Sequence, residues 1–285
     1  MEAPLGVTLL ALLFIGTHVG LATPAVRTRL VPRIGVGGFF GVYSLVAAIT
    51  FWALIAYYAA HRFDGAAGLA LGANPILHAL LTGVIVIGIA LTSAGLVAYP
   101  GLPVAVFGQP IREPRGIERV TRHPFFAGTA LLGIAHALLA THLAGAIVMG
   151  ALALLSIAGS RHQDARHLAA RGKPYADYLA VTSALPFAAI FTGRQRLVWS
   201  ELPFGALAGG VGGAVLLRFA HASLFAAGGR WIVLAVLGGA VVASLQSWLR
   251  ARRLSARPTR ASSSESSAQM PASDAETPLL KAVRR

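Results

Sequence analysis

A short basic motif directly before a long apolar segment carries the first candidate chemistry in this sequence. Arg122 and His123 stand just before Pro124, and proline suits the first position of a helix because its missing N–H would be unpaired there anyway. The apolar run that follows contains His136. An ionisable side chain at membrane depth is expensive, so it indicates a functional site by default. A neutral histidine that bonds a facing carbonyl or hydroxyl is the plainer alternative.

Histidine is also the ionisable residue type found deep in other apolar segments of the chain. These segments contain no Asp, Glu or Lys, which argues against carboxylate proton relays and most ion-coupled transport. Neutral imidazoles in an interior without acids or cysteine suit a transition metal or a haem iron. The histidines at depth are His18, His78 and His136, and those nearer the outer edge are His61, His142 and His221.

Two alternative pairs of these histidines could bind one iron. His18 and His136 lie on opposite sides of the centres of their segments, so their depths differ by roughly 12 Å at the helical rise of 1.5 Å per residue. Offset or tilted helices are needed to bring them to one metal. His78 and His136 both fall in the outer half and form the rival pair.

A second constellation lies in the polar loops. Arginine forks bind carboxylates and propionates through paired hydrogen bonds, so a cationic and aromatic pocket there could hold such groups of a cofactor. The equally open alternative is that these positive charges only set the membrane topology and that the tyrosines lie at the membrane interface. The residues expected on the same side of the membrane are Arg122, His123, Arg161, Asp164, Gly172, Tyr175 and Tyr178.

The composition is that of an integral membrane protein. Hydrophobic residues make up 56% of the 285 residues and charged residues only 12%, with a mean hydropathy of +0.69. Soluble domains carry about twice that share of charge. The absence of cysteine excludes disulfides, thiolate ligands and a cysteine nucleophile.

Apolar segments near the ~20 residues that a bilayer requires predict an all-α, polytopic helix bundle with about seven transmembrane helices. A further apolar piece, Leu185–Phe191, is too short to cross and is expected at the interface. The predicted spans are Leu5–Thr23, Phe39–Ala60, Pro75–Ala98, Pro124–Ala140, Leu143–Gly159, Leu202–Leu217 and Trp231–Trp248.

The net charge of +14 indicates membrane topology rather than nucleic-acid binding. The cations follow the ends of the apolar segments, as topology determinants do. When successive connections alternate between the two sides, all of the 24 Lys and Arg except Arg62, Arg218 and Arg230 fall on one side. This predicts an outside N-terminus and a cytoplasmic C-terminus, in the inner membrane of a bacterium.

Several short motifs, in order and at matching spacing, give the chain a family resemblance. The chain resembles the NnrU membrane proteins, named for nitrite and nitric oxide reductase gene clusters, and the related zeta-carotene isomerases of plants and cyanobacteria. The matching pieces are G-T-H at His18 with Arg27 and Arg29, the stretch Arg33–Leu45, T-R-H-P at Thr121–Pro124, A-H at His136, and Thr182–Arg194.

The resemblance implies a cofactor. Zeta-carotene isomerases are understood as haem b proteins, and their axial histidines correspond by motif to His18 and His136. Arg122 and His123 would then anchor the cofactor or shape the cytoplasmic mouth of its pocket. One position departs from the isomerases, because their alternative cysteine ligand falls here on Gly133.

A looser likeness to isoprenylcysteine carboxyl methyltransferases gives an alternative. Their R-H-P-x-Y-x-G motif is similar to Arg122–Gly128, although an aromatic phenylalanine replaces the tyrosine. In that family these residues lie at the S-adenosylmethionine site. The second motif is similar to Asp164, Leu168, Gly172, Tyr175 and Tyr178, where only one carboxylate is present.

The sequence thus predicts a membrane domain of the NnrU type over residues 1–200, a two-span extension over 201–254 and a disordered cytoplasmic tail over 255–285. The function expected from the resemblance is haem b binding, with either cis-trans isomerisation of an apolar polyene or a role in nitrogen-oxide metabolism. The alternative is a methyltransferase that uses S-adenosylmethionine. The expected partners are the lipid bilayer and the polyene, without nucleic acid, and the oligomeric state is left open.

Overall fold

The computed structural model describes residues 3–105, 109–225 and 227–255, and within these ranges the chain forms helices and no β-strand. The predicted all-α class is therefore confirmed for this part of the chain. The helices are α1 (Ala3–Ala22), α2 (Pro24–His61), α3 (Pro75–Ala98), α4 (Ile117–Val120), α5 (Pro124–Leu139), α6 (Leu143–Arg171), α7 (Lys173–Val181), α8 (Ala188–Phe191), α9 (Phe204–Ala220) and α10 (Arg230–Ser255).

Five of these helices, namely α1, α2, α3, α6 and α10, are long and apolar enough to cross a membrane. The membrane character is thereby confirmed. The shorter apolar helices α5 and α9 have 16 and 17 residues, below the usual length of a spanning helix. The count of seven crossings and the orientation of the termini stay predictions.

The second helix begins well before the span predicted at Phe39–Ala60. Pro24 occupies its first turn, where the missing N–H costs nothing. Pro32 lies inside the helix, and Gly35 adopts a φ of 70°, which breaks the regular helical backbone. The stretch with Arg27, Arg29 and Arg33, read from the sequence as a connection, is therefore helical up to a glycine break.

Small residues allow α5 to lie directly between α3 and α6. A Cβ on Gly88 of α3 would stand 2.8 Å from the carbonyl oxygen of Gly128 in α5. On the other face of α5, a Cβ on Gly133 would stand 2.6 Å from the carbonyl oxygen of Met149. Helices in lipid associate by such close packing rather than by hydrophobic exclusion from water.

The helix α6 also packs against α1, and the two helices run in the same direction. Their first residues are linked through the loop after α2, where Leu143 N–H donates to the carbonyl of Ala66 and Gly65 approaches Pro4. Near their other ends, the Nε2–H of His162 donates to the carbonyl of Ala22 at 3.1 Å. The helix α6 therefore supports both α1 and α5.

Beyond its apolar part, α6 continues into a polar cap with α4, α7 and α8. The segment before α5 is fixed there by backbone hydrogen bonds from Arg122 to Ser183 and from Phe187 to Val120. In the short apolar piece, Leu185 is 71% and Phe191 85% exposed, which suits the expected interfacial position. Apart from Ser255, the predicted disordered tail lies outside the described residues, and the proposed domain boundaries stay predictions.

Candidate functional site

His18 lies in α1 and is bonded to the neighbouring helix. Its Nε2 is 2.8 Å from the hydroxyl of Tyr43 in α2, and its Nδ1 is buried without a hydrogen-bond partner. The rings of Phe14 and Tyr43 pack at centroid distances of 5.4 and 5.1 Å. The nitrogen that histidine normally offers to haem is therefore in contact with a phenol in this arrangement.

His136, in the last turn of α5, has a different environment. Its Nδ1 is 3.0 Å from the carbonyl oxygen of Leu132. Because a carbonyl only accepts, Nδ1 carries the proton and Nε2 keeps its lone pair. A ring nitrogen held in this way is the common arrangement for a histidine that binds a metal through its other nitrogen.

The packing contacts place His18 and His136 at different levels of the bundle. Ala22 meets His162 of α6, so His18, four residues earlier, lies near the level of Ala158. Thr129 of the antiparallel α5 meets Ser156, so His136, seven residues later, lies near the level of Met149. Nine residues of helix separate these levels, which is about 13 Å.

His136 faces another histidine at the end of α9. The ring centres of His136 and His221 are 6.4 Å apart, and the two ring planes differ by only 8°. His78, the rival ligand from the sequence, is exposed at the start of α3, with its Nδ1 near Gly72. Groups of three or more His, Asp or Glu side chains arranged to bind a metal ion do not occur among the described residues.

The predicted cytoplasmic constellation comes together around one carboxylate. Arg122 donates from its Nη2 to Asp164 Oδ2 at 2.7 Å and from Nε to both oxygens. His123 Nε2 lies 2.8 Å and Tyr175 Oη 2.7 Å from Asp164 Oδ1. We call these four residues the Asp164 network. It joins the residues before α5 to the end of α6 and to α7.

Burial and bonding in the Asp164 network restrict what it can do. Burial raises the pKa of Tyr175, and the hydrogen bond to Asp164 raises it further, so its hydroxyl stays protonated and donates. His123 is buried, and its Nδ1 has no hydrogen-bond partner. The guanidinium of Arg122 and the hydroxyl of Tyr175 form hydrogen bonds to Asp164 rather than to a ligand in an open pocket. The S-adenosylmethionine alternative rests on these same residues and stays a prediction.

A second acidic centre lies beside the first, and the sequence interpretation did not identify it. Glu118 is 1% exposed; it accepts from Arg112 at 2.5 Å and from the hydroxyl of Tyr178 at 3.0 Å. Burial and the nearby carboxylate raise the pKa of Tyr178 well above its usual value. The sequence did carry a signal for this centre: Glu118 is an acid in a strongly basic loop, and Tyr175 and Tyr178 are spaced by about one helical turn.

A cavity of about 400 Å³ opens next to Glu118 at the C-terminal end of α3. Its lining combines Arg112, Glu118, Glu201 and Arg250 with apolar residues of α3. Glu201 is itself paired with Arg119 at 2.9 Å, and the hydrogen bond from Arg119 lowers the pKa of Glu201. Both carboxylates in the lining of this cavity are therefore paired with arginines.

Comparison with known families identifies the chain. A family model described as NnrU protein matches residues 7–229. The chain belongs to the NnrU family. The matched range includes all the histidines named above, the Asp164 network and α9. The family resemblance read from the short motifs is thereby confirmed.

Two curated proteins are similar to this NnrU protein. The 15-cis-zeta-carotene isomerase of the Arabidopsis thaliana chloroplast is 29% identical over 195 residues, covering 66% of this chain and 51% of its own. The corresponding chloroplastic isomerase of Zea mays is 29% identical over 198 residues, with the same two coverages. The chain thus spans about half the length of these relatives. No solved structure matches it significantly.

Proposed function

We propose that this NnrU protein is a membrane isomerase that converts cis and trans double bonds in a long apolar polyene of the carotenoid class. The observation that carries the proposal is that both curated relatives are 15-cis-zeta-carotene isomerases. The proposed site of action is the inner membrane of a bacterium.

The structure supports this reaction class through what the bundle offers a substrate. Isomerisation adds and removes no atoms, so it requires neither a water channel nor a second substrate site. A polyene dissolved in lipid can reach the helices from the side, where apolar residues such as Leu12 of α1 and Leu80 of α3 are each 61% exposed.

We also propose that the protein binds haem b through His136. Its Nε2 lone pair is free while Nδ1 is fixed by Leu132, which suits an iron ligand. The residues do not fit an iron shared with His18 in this arrangement, because Tyr43 contacts the Nε2 of His18 and the levels differ by about 13 Å. A bound haem would supply the electronic chemistry, and the protein would supply binding and orientation.

Arg122 and His123 then act as positioning residues rather than as ligands. Both bond Asp164 of α6, and they immediately precede Pro124 at the start of α5. The Asp164 network therefore fixes where α5 begins and, through that helix, where His136 lies.

The test is carotenoid analysis in a bacterial host that accumulates 15-cis-zeta-carotene, grown in darkness so that light does not isomerise the pigment. Chromatography should show a higher share of the isomer with a trans central bond when the protein is expressed. His136→Ala should abolish the change, whereas the control His142→Ala, at the start of α6, should retain it. An unchanged isomer ratio with well-expressed wild-type protein would contradict the proposal.

A further inference from the structure

The cavity beside Glu118 lies where two membrane helices end. The last residues of the spanning segments Pro75–Gly101 and Arg230–Arg250 both line it. Because each segment is long enough to cross the hydrocarbon layer, their shared end places the cavity near the boundary with water, at the depth of lipid phosphates. Val97, one turn before the end of the first segment, also lines the cavity and is 62% exposed. The cavity therefore adjoins a surface that faces lipid.

An aromatic side chain and a cation mark the same depth on the other side of α10. The guanidinium of Arg252 lies 4.1 Å from the ring centre of Trp248, and Trp248 is 38% exposed. Tryptophan is enriched at the level of the lipid headgroups. Arg250, between these two residues in the chain, therefore also lies at headgroup depth.

The lining of the cavity carries more positive than negative charge. Its two carboxylates are already paired with arginines. Two further arginines line it, Arg115 and Arg250, and within the described part of the chain their side chains form neither a hydrogen bond nor an ion pair. An anion in the cavity would be attracted by charges that no carboxylate of the protein already pairs with.

Two guanidinium groups converge on the backbone where α3 ends. Arg112 donates from Nη2 to the carbonyl of Gly101 at 3.1 Å, and a Cβ on Gly101 would stand 3.4 Å from Nη1 of Arg250. Glu118 balances the charge of Arg112, whereas Arg250 brings an unbalanced charge from a different helix. Guanidinium groups bind phosphate oxygens through paired hydrogen bonds, so a phosphate would be held at this point.

From these observations we propose that the cavity binds the phosphodiester headgroup of an anionic glycerophospholipid. Arg115 and Arg250 bind the phosphate, and an acyl chain leaves past Val97 into the bilayer. The volume of about 400 Å³ lies in the range of small-ligand sites, and basic pockets between membrane helices bind anionic headgroups. The bound lipid would join α10 to the end of α3. This site is separate from the histidines and from the proposed isomerisation.

The test uses the full-length protein, purified in a neutral detergent, freed of lipid and titrated with phosphatidylglycerol. Native mass spectrometry should show one phosphatidylglycerol bound per chain, and the unfolding midpoint should rise. Phosphatidylcholine should bind more weakly, because it has the same phosphodiester but its choline cation cancels the charge. Glycerol 3-phosphate, a soluble phosphate without acyl chains, should not compete at the same concentration.

Substitutions of single arginines locate the binding. Arg250→Gln and Arg115→Gln should each weaken phosphatidylglycerol binding by roughly fivefold or more, as the loss of one cation near a lipid phosphate does. Arg250→Lys keeps the charge and should retain most of the affinity. The matched control is Arg252→Gln, which removes the same charge from almost the opposite side of α10, since successive helical residues turn by about 100°. Size-exclusion elution checks that each variant is folded.

Several results would overturn the lipid site. Equal binding of phosphatidylcholine and phosphatidylglycerol would show that the unpaired arginines do not select the ligand. Equal losses in Arg250→Gln and Arg252→Gln would reduce the effect to general surface charge. Binding of glycerol 3-phosphate without binding of phosphatidylglycerol would make the ligand a soluble phosphate rather than a lipid. Dark isomerisation is measured separately, so failure of the lipid site leaves the proposed function untouched.

Discussion

His18 and His136 both lie in apolar helices, yet the nitrogens of their rings have different partners. A backbone carbonyl fixes the proton of His136 on Nδ1, whereas Tyr43 contacts the Nε2 of His18. The same residue type therefore offers a free lone pair in one apolar helix and an engaged nitrogen in the other. The surroundings also decide the role of Asp164, because its carboxylate is held by three side chains at once.

At the residue scale, Asp164→Asn should destabilise the folded protein by about 2–4 kcal/mol. The variant leaves the guanidinium of Arg122, which is 14% exposed, without its charged partner, and a partly buried unpaired charge is costly. Thermal unfolding in detergent measures the loss.

The matched control for this variant is Asp177→Asn. Asp177 pairs with Lys173 at 2.9 Å, but the two side chains are 65% and 84% exposed, so the pair should contribute little. Equal shifts of the unfolding midpoint in the two variants would show that the Asp164 network has no special stabilising role.

At the scale of elements, α6 organises the molecule because it contacts α1, which carries His18, and α5, which carries His136. Its contact with α5 is close, since Gly133 stands against the backbone of Met149 and Ala153. A side chain at position 133 would therefore collide with the backbone of α6.

Gly133→Ala should therefore destabilise the contact between α5 and α6 by about 1–3 kcal/mol, as overpacking does. The added Cβ would lie 2.6 Å from a backbone oxygen, which cannot rotate away. Gly150→Ala is the control, since a Cβ on Gly150 meets no atom within 4 Å. Unfolding midpoints in detergent compare the two, and a milder effect at position 133 than at position 150 would disprove the packing argument.

At the scale of the whole molecule, charge rather than packing is expected to set the orientation in the membrane. In the predicted seven-span topology, arginines and lysines crowd the connections on one side, and the polar cap around Asp164 and Glu118 is expected on that side. The described helices pack in a way that is compatible with either orientation, so the orientation has to be measured in cells.

The absence of cysteine makes this measurement direct. Single cysteines can replace Asp64, in the loop after α2, and Asp177, in α7; the side chains of both are more than half exposed. A membrane-impermeant thiol reagent should label Asp64→Cys in spheroplasts, and Asp177→Cys only after permeabilisation. The reverse pattern would refute the outside N-terminus, and the unmodified chain provides the blank.

The sequence by itself determined the membrane class, most helices, the family and the residue types available for chemistry, because hydropathy, proline positions and short motifs are local properties. It placed Arg122, His123, Asp164 and Tyr175 on one side, and the structure brought them to one carboxylate. Tertiary structure alone decided that Glu118 is buried and that His136 faces His221 rather than His18. Those facts depend on which helices are neighbours and at what level they meet, and residues 85 positions apart in the chain carry no local signal of their contact.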